Sequence, residues 1–245
     1  MKTVAAILCA AGASKRFGGN RKKPFVNVDG RAAFLRSVDL FADRSDVKQI
    51  LLAISPEDDE TVKVMWGAHL SFGGVKICHG GAERCQTIAN AMELIKPEID
   101  LIAVHDAARC CLTADWLEAV IEMAGKTGAA MLACPVVATL KRVTDGRIVE
   151  TIDRSDLYEA QTPQVFDANL LRRAYKNLAQ YPPAKVSDDS FLVEALGQKV
   201  AIVATDHSNI KITTHNDIPI AEAILHSRPK PKPEGPIGPY VEAQW

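Results

Sequence analysis

Five cations fall within nine positions near the start of the chain, Lys15, Arg16, Arg21, Lys22 and Lys23, while Met1 to Val28 contains no Asp or Glu. Directly before them stands Ala10-Ala11-Gly12-Ala13-Ser14, a run of small residues that follows the apolar segment Thr3 to Ala10. Small side chains leave backbone N–H groups approachable, and a strand's carboxyl end is where phosphate meets such groups in α/β proteins. The chemistry suggested is binding of a phosphorylated ligand, with a solvated basic loop as the alternative. Two familiar phosphate loops fail on spacing: Gly12 to Gly19 does not read G-x-G-x-x-G, and Gly18 is followed by Gly19-Asn20 where a P-loop needs Lys-Ser/Thr.

Further along, Val104-His105-Asp106-Ala107-Ala108-Arg109 ends another apolar run. A carboxylate leaving a strand end among small residues suits a divalent cation held against phosphate oxygens, and equally suits a cap for the next helix. His105 reads as structural before it reads as a ligand, and Arg109 as an ion pair or an anion contact. Weaker signals follow in Ile152-Asp153-Arg154, Thr162-Pro163-Gln164, Ser187-Asp188-Asp189-Ser190 and Asn209-Ile210-Lys211-Ile212-Thr213. Asp188-Asp189 suits the N-cap of a helix through Leu196 or a second acidic contact. Lys211 lies among strand-forming residues, where it either faces solvent or requires an anionic partner.

The elements that must position these groups follow from the pattern. Strand-length apolar runs span Thr3 to Ala10, Val47 to Ile54, Val75 to Cys78, Leu101 to His105, Ala129 to Val136 and Lys199 to Ala204. Between them, Ala32 to Asp43, Asp58 to His69, Glu83 to Leu94 and Ala114 to Thr127 show helical apolar spacing. The alternation, with strands apolar on both faces, predicts an α/β fold with a mainly parallel sheet and helices on both faces. Leu140 to Val143 and Ile148 to Ile152 flank Asp145-Gly146 and read as a hairpin, which needs something to pack on; a partner subunit is the natural candidate.

Composition narrows the class. The 245 residues, 47% hydrophobic and 24% charged, suffice for one full core, and 29 Lys+Arg against 30 Asp+Glu argue against a nucleic-acid binder. No apolar run is long enough to span a bilayer and no leader pattern is seen, so no membrane association and a cytoplasmic location are expected. Six cysteines without C-x-x-C spacing make a disulfide scaffold or structural zinc unexpected. His226 to Trp245 holds five of the 13 prolines and is read as a disordered tail after a domain of residues 1–225, with the hairpin arm at about 137–155.

Together these segments resemble the 2-C-methyl-D-erythritol 4-phosphate cytidylyltransferases of non-mevalonate isoprenoid synthesis, over roughly Val4 to Leu225. The motifs are Ala10-Ala11-Gly12 with Arg16 and Lys23, Gly80-Gly81 with Arg84, the Val104 to Arg109 segment, Thr139 with Lys141-Arg142, Asp153-Arg154, Thr162-Pro163-Gln164, Ser187 to Ser190 and Asn209 to Thr213. The resemblance implies a Rossmann-like nucleotidyltransferase fold whose hairpin arm makes a homodimer. It implies transfer of CMP from CTP to the acceptor's 4-phosphate, releasing pyrophosphate, with Mg²⁺ or another divalent cation at Asp106. By the same resemblance Arg16, Lys23, Arg154 and Lys211 are catalytic. Ala10, Ala11, Gly12, Gly81, Ala82, Thr87, Asp106 and Ala107 would bind CTP. Arg109, Thr139, Arg154, Ser187, Asp188 and Lys211 would meet the acceptor, with Thr139 and Arg154 serving the neighbouring subunit's site. Cys9, Ala82, Thr87, Cys110 and Ser187 depart from the family's usual residues, and Thr87 and Ser187 keep a hydroxyl.

Two other readings compete. The same chemistry on another polyol phosphate, such as ribitol 5-phosphate, shares the loop, the aspartate and the lysines. A noncatalytic nucleotide-binding regulator would have no need for Arg16, Lys23, Asp106 and Lys211 together. The length leaves no room for an added cyclase domain.

Overall fold

The computed structural model describes residues 1–12, 17 and 22–229. Eleven strands appear among them: β1 (Val4–Cys9), β2 (Asn27–Val28), β3 (Arg31–Ala32), β4 (Val47–Ile54), β5 (Val75–His79), β6 (Leu101–Asp106), β7 (Ala129–Pro135), β8 (Leu140–Thr144), β9 (Arg147–Ile152), β10 (Tyr158–Asp167) and β11 (Ala201–Ala204). The helices are α1 (Ala33–Ala42), α2 (Asp59–Phe72), α3 (Arg84–Met92), α4 (Ala114–Thr127), α5 (Ala168–Lys176), α6 (Asp189–Glu194) and α7 (Asp217–Ser227). No described helix is long and apolar enough to cross a membrane.

Alternation along β1 shows how the layers form. Val4, Ala6 and Leu8 join a core covered by α1, α2 and α4, whereas Ala5 and Ile7 join a second core covered by α3, α5 and α6. Side chains of a strand point alternately to opposite faces, so a strand apolar at every position is one with helices on both sides. Seven strands lie in the order β11-β7-β10-β6-β1-β4-β5. β1 pairs in parallel with both β4 and β6, so the chain leaves β1 in one direction and later returns on its other side. At such a reversal the loops beyond the strands' carboxyl ends diverge and open a crevice.

The expected elements are present, with one large correction to the sheet. Thr162-Pro163-Gln164 lies inside β10, a long strand antiparallel to both β6 and β7. Pro163 supplies no N–H, and the pairing with β7 shifts register between Ala160 and Gln164. A proline flanked by polar residues hides a strand interior from a hydrophobicity reading. Lys211 is not on a strand either: Asn209 to Thr213 runs as an irregular segment, with Ile212 N–H bonded to the Ala108 carbonyl. Helices α5 and α7 stand outside the sequence reading. α7 continues to Ser227, two residues past the expected domain end, and residues 230–245 of the tail lie outside the described residues.

The hairpin forms as its Asp-Gly signal requires. Asp145 and Gly146 both have positive φ, at 49° and 74°, and Thr144 pairs with Arg147 across them. It makes a separate two-stranded sheet whose Val143, Ile148 and Val149 are exposed.

Leu52 on β4 is fully buried in the first core. Leu52→Ala should lower the unfolding free energy by about 2 to 5 kcal/mol, as loss of a packed leucine does, and urea denaturation followed by circular dichroism measures it.

Candidate active site

The crevice is built from the loops after four neighbouring strands. After β1 come Ala11 and Gly12, after β4 Ser55 to Glu57, after β5 Gly80 to Ala82, and after β6 Ala108, and these line a cavity of about 500 Å³. Short bonds fix the loops to one another: Ser55 Oγ donates to the Ala11 carbonyl at 2.7 Å, and Gly80 N–H to the Ile54 carbonyl at 2.8 Å. Glycine at position 80 has a steric cause. A Cβ there would lie 2.4 Å from the Ala11 Cβ and 2.8 Å from Thr87 Oγ1, so only hydrogen fits between the two loops. A Cβ on Gly81 would meet the Gln86 Cβ at 2.6 Å. The Thr87 hydroxyl accepts from Gly81 N–H and donates to the Glu83 carbonyl, so this residue holds the Gly-Gly turn on α3.

Lys23 reaches the same cavity from a short 3-10 turn, Lys23–Phe25. Phe25 anchors that turn by packing against Phe34 and Trp66, with ring centroids 5.5 and 5.6 Å away. The preceding Lys22 bonds Glu57 at 2.6 Å and Asp58 at 2.8 Å, tying the end of the basic loop to the turn after β4. Arg16 lies outside the described residues.

Asp106, the last residue of β6, sits where this cavity meets a second one of about 180 Å³. Its carboxylate is surrounded by cations: Lys211 Nζ at 2.6 Å, Arg84 Nε at 3.4 Å and Arg109 Nε at 3.8 Å. Burial alone would push this carboxyl up, but Lys211 and Arg84 hold it well below the usual carboxylate range. Asp106 is therefore no helix cap; Thr113 takes that role for α4, accepting from Trp116 N–H. Lys211 has the anionic partner that an inward-facing lysine requires.

The second cavity is lined by Arg84, Asp106, Arg109, Ala160 to Thr162, Gln164, Ser187, Asp188 and Lys211. Arg109 is held by the Asn209 carbonyl at 2.7 Å, and its Nε has no hydrogen-bond partner among the described residues. Asp188 caps α6 by accepting from Phe191 N–H, as one of its two readings expects, and also accepts from Gln164 Nε2. Among the described residues only Arg84, Asp106 and Lys211 line both cavities.

Of the described residues expected at the site, four line neither cavity. Ala10 and Ala107 are fully buried in the first core and line neither cavity, because the strand alternation turns both side chains inward. Thr139 and Arg154 are exposed at the base of the hairpin and line neither cavity of this chain; Arg154 donates to the Val137 carbonyl. Ser55, Glu57, Arg84, Gln161 and Gln164 line the cavities without having been expected there. Arg84, next to Gly80-Gly81, and Gln164, in Thr162-Pro163-Gln164, stood in motifs of the sequence.

His105 is no metal ligand, since one ring nitrogen meets Ser37 Oγ at 3.2 Å and the other Thr162 Oγ1 at 3.1 Å. Thr162 Oγ1 also accepts the Asp106 N–H, so the buried ring helps fix the start of the Asp106 loop. The Cys9 thiol on the cavity wall is pushed up to about 12 by burial and stays neutral. Neither residue offers a covalent nucleophile.

The model of the 2-C-methyl-D-erythritol 4-phosphate cytidylyltransferase family matches residues 4–227. The protein of that name from Endomicrobium trichonymphae is 40% identical over 224 residues, covering 91% of this chain and 99% of its own. That from Rhodopirellula baltica is 39% identical over 236 residues, covering 91% and 95%. Among solved structures, the 4-diphosphocytidyl-2C-methyl-D-erythritol synthase of Anaerococcus prevotii has a TM-score of 0.79 at 29% identity, over 92% of this chain and 96% of its own. The Thermus thermophilus 2-C-methyl-D-erythritol 4-phosphate cytidylyltransferase has a TM-score of 0.74 at 30% identity, over 92% and 100%.

Burial lowers the His105 ring from 6.5 to about 4. Between those values the unfolded chain binds more protons than the fold, so stability falls as pH drops from 6.5 to about 4, by about 3 kcal/mol at most. Denaturant titrations across this window should show wild type losing that much more than His105→Gln; equal slopes would exclude the buried neutral ring.

Proposed function

The chain belongs to the 2-C-methyl-D-erythritol 4-phosphate cytidylyltransferase family, and from that premise we propose how its two cavities divide the reaction. The enzyme transfers CMP from CTP to 2-C-methyl-D-erythritol 4-phosphate, giving 4-diphosphocytidyl-2-C-methyl-D-erythritol and pyrophosphate. The larger cavity takes CTP and the smaller takes the acceptor. The observation that carries this division is the seam between them, where Asp106, Lys211 and Arg84 meet. A phosphate oxygen of the acceptor must reach the α-phosphorus of CTP, and two polyanions approach each other only among cations.

The narrow Gly80-Gly81 turn and the Ala11-Gly12 backbone receive the nucleotide, and Ala82 and Thr87 stand beside them. Lys23, with Arg16 from the same loop, holds the triphosphate. Lys211 faces the α-phosphate from the opposite wall and stabilises the charge that grows on its oxygens as the new bond forms. Arg109, Ser187 and Asp188 orient the acceptor, the first through its phosphate and the others through hydroxyl groups. Thr139 and Arg154 complete the site of a second subunit, which receives the exposed hairpin; a homodimer thereby gives the hairpin the packing partner that an isolated pair of strands lacks.

Asp106 suits Mg²⁺. Among the described residues no group of three or more His, Cys, Asp or Glu is placed to hold a metal alone. A single carboxylate beside a phosphate site is the donor set of an ion that takes its remaining ligands from phosphate and water. Bound there, Mg²⁺ would neutralise phosphate charge as it develops.

Pyrophosphate release measured with CTP, Mg²⁺ and either acceptor tests the assignment. Wild type should turn over 2-C-methyl-D-erythritol 4-phosphate in preference to ribitol 5-phosphate, EDTA should abolish the reaction, and Lys23→Ala should lose about 10² to 10³ in kcat. The reverse acceptor preference would move the protein to polyol-phosphate activation for another product. Sharing of sites has its own test: inactive Lys23→Ala and Arg154→Ala chains, mixed and allowed to exchange, should recover about a quarter of the wild-type rate, as random pairing of subunits dictates. No recovery in a mixture shown to have exchanged would place each site within one chain.

A further inference from the structure

Three polar groups behind the seam have no part in the mechanism above. Asp189 is fully buried, and its two carboxylate oxygens are divided between two elements: Oδ1 accepts from the Tyr175 hydroxyl on α5, and Oδ2 accepts from Arg84 Nη1 at 2.8 Å. Gln164 Oε1 accepts the backbone N–H of Asp189 and of Ser190, which pins the carboxylate's own backbone to β10. Arg84 extends from this fixed anchor to within 3.4 Å of Asp106 and lines both cavities. Its Nη2 donates to no protein group among the described residues.

An ion pair with a fully buried carboxylate contributes little to stability compared with apolar packing, so the Arg84–Asp189 pair suits a positioning role better than a stabilising one. The geometry supplies that role. Asp106 has its closest cation in Lys211 at 2.6 Å, with Arg84 farther off at 3.4 Å. With Asp189 absent, Arg84 would collapse onto Asp106 as its nearest carboxylate. With Asp189 gripping Nη1, the guanidinium is kept partly off Asp106 and presents its remaining donors where two phosphates meet. The planar fork of arginine suits two oxygens at once. Burial and the adjacent Asp189 carboxylate raise the Tyr175 hydroxyl well above its usual range, so it remains a donor and holds the carboxylate in one rotamer.

We propose that Arg84 is a further catalytic residue of the cytidylyl transfer, binding phosphate oxygens at the junction of the two substrates, and that Asp189 and Tyr175 are positioning residues that act through it. This rests on the division of the cavities given above.

A double-mutant cycle tests it. Arg84→Ala should lose about 10² in kcat while its KM for CTP changes less than about threefold, and millimolar guanidinium, well below denaturing levels, should restore part of the rate in a saturable way. Tyr175→Phe and Asp189→Asn should each lower kcat about tenfold with Arg84 present. In the Arg84→Ala background each should lower it less than twofold, because there is no longer a guanidinium to position. Equal losses in the two backgrounds, or losses confined to melting temperature, would overturn the inference. Should Asp189→Asn not fold, Tyr175→Phe, which removes one hydroxyl and no charge, carries the cycle alone. Wild type assayed beside the variants separates the two readings. An active wild type with indifferent variants removes Arg84 only, whereas an inactive one removes the cytidylyl-transfer reading and this inference with it.

Discussion

A carboxylate withdrawn from water must be surrounded by groups that replace water, and Asp106 imposes that requirement on the centre of this molecule. Its three cations come from distant parts of the chain. Arg84 begins α3, Arg109 follows β6 by three residues, and Lys211 comes from the irregular segment beyond β11. Each is held by a further contact: Arg84 by Asp189, Arg109 by the Asn209 carbonyl, and the Lys211 segment by the bond from Ile212 N–H to Ala108. The fold is thereby gathered at the one point where two cavities touch. Preorganised charge of this kind needs no rearrangement at the moment of reaction, which is the main way a phosphoryl-type transfer is accelerated.

The parallel strands of the sheet were legible because they are monotonous. β4 spans Val47 to Ile54 and α4 spans Ala114 to Thr127, the same limits that apolar periodicity assigns. The antiparallel strand β10 was not. β10 contains Gln161, Thr162 and Gln164, all buried and all satisfied by side-chain or backbone partners. Buried polar residues satisfied by tertiary contacts read in sequence as a loop, since the partners are invisible there. The same cause hid Gln161 and Gln164 as cavity residues.

At the site, residues with a charge and a neighbouring small-residue motif were readable: Lys23, Asp106, Arg109 and Lys211 all face a cavity. The motif does not say which way the Ala10 and Ala107 side chains turn, and the alternation continued from the strands before them does. Thr87 lines the larger cavity while its hydroxyl is committed to the Gly81 turn, so a serine there would preserve the same two bonds. This explains in structural terms how a departure from the usual residue leaves the turn intact.

Among the described residues the two cavities share only Arg84, Asp106 and Lys211, and the rest of their walls come from separate stretches of chain. The larger is walled by turns after β1, β4 and β5, and the smaller by β10 and the 187–188 segment. Inheritance can therefore act on them separately. A lineage could reshape the smaller cavity through drift at Ala160, Gln161 and Ser187 while the turns of the larger one pass unchanged from ancestor to descendant.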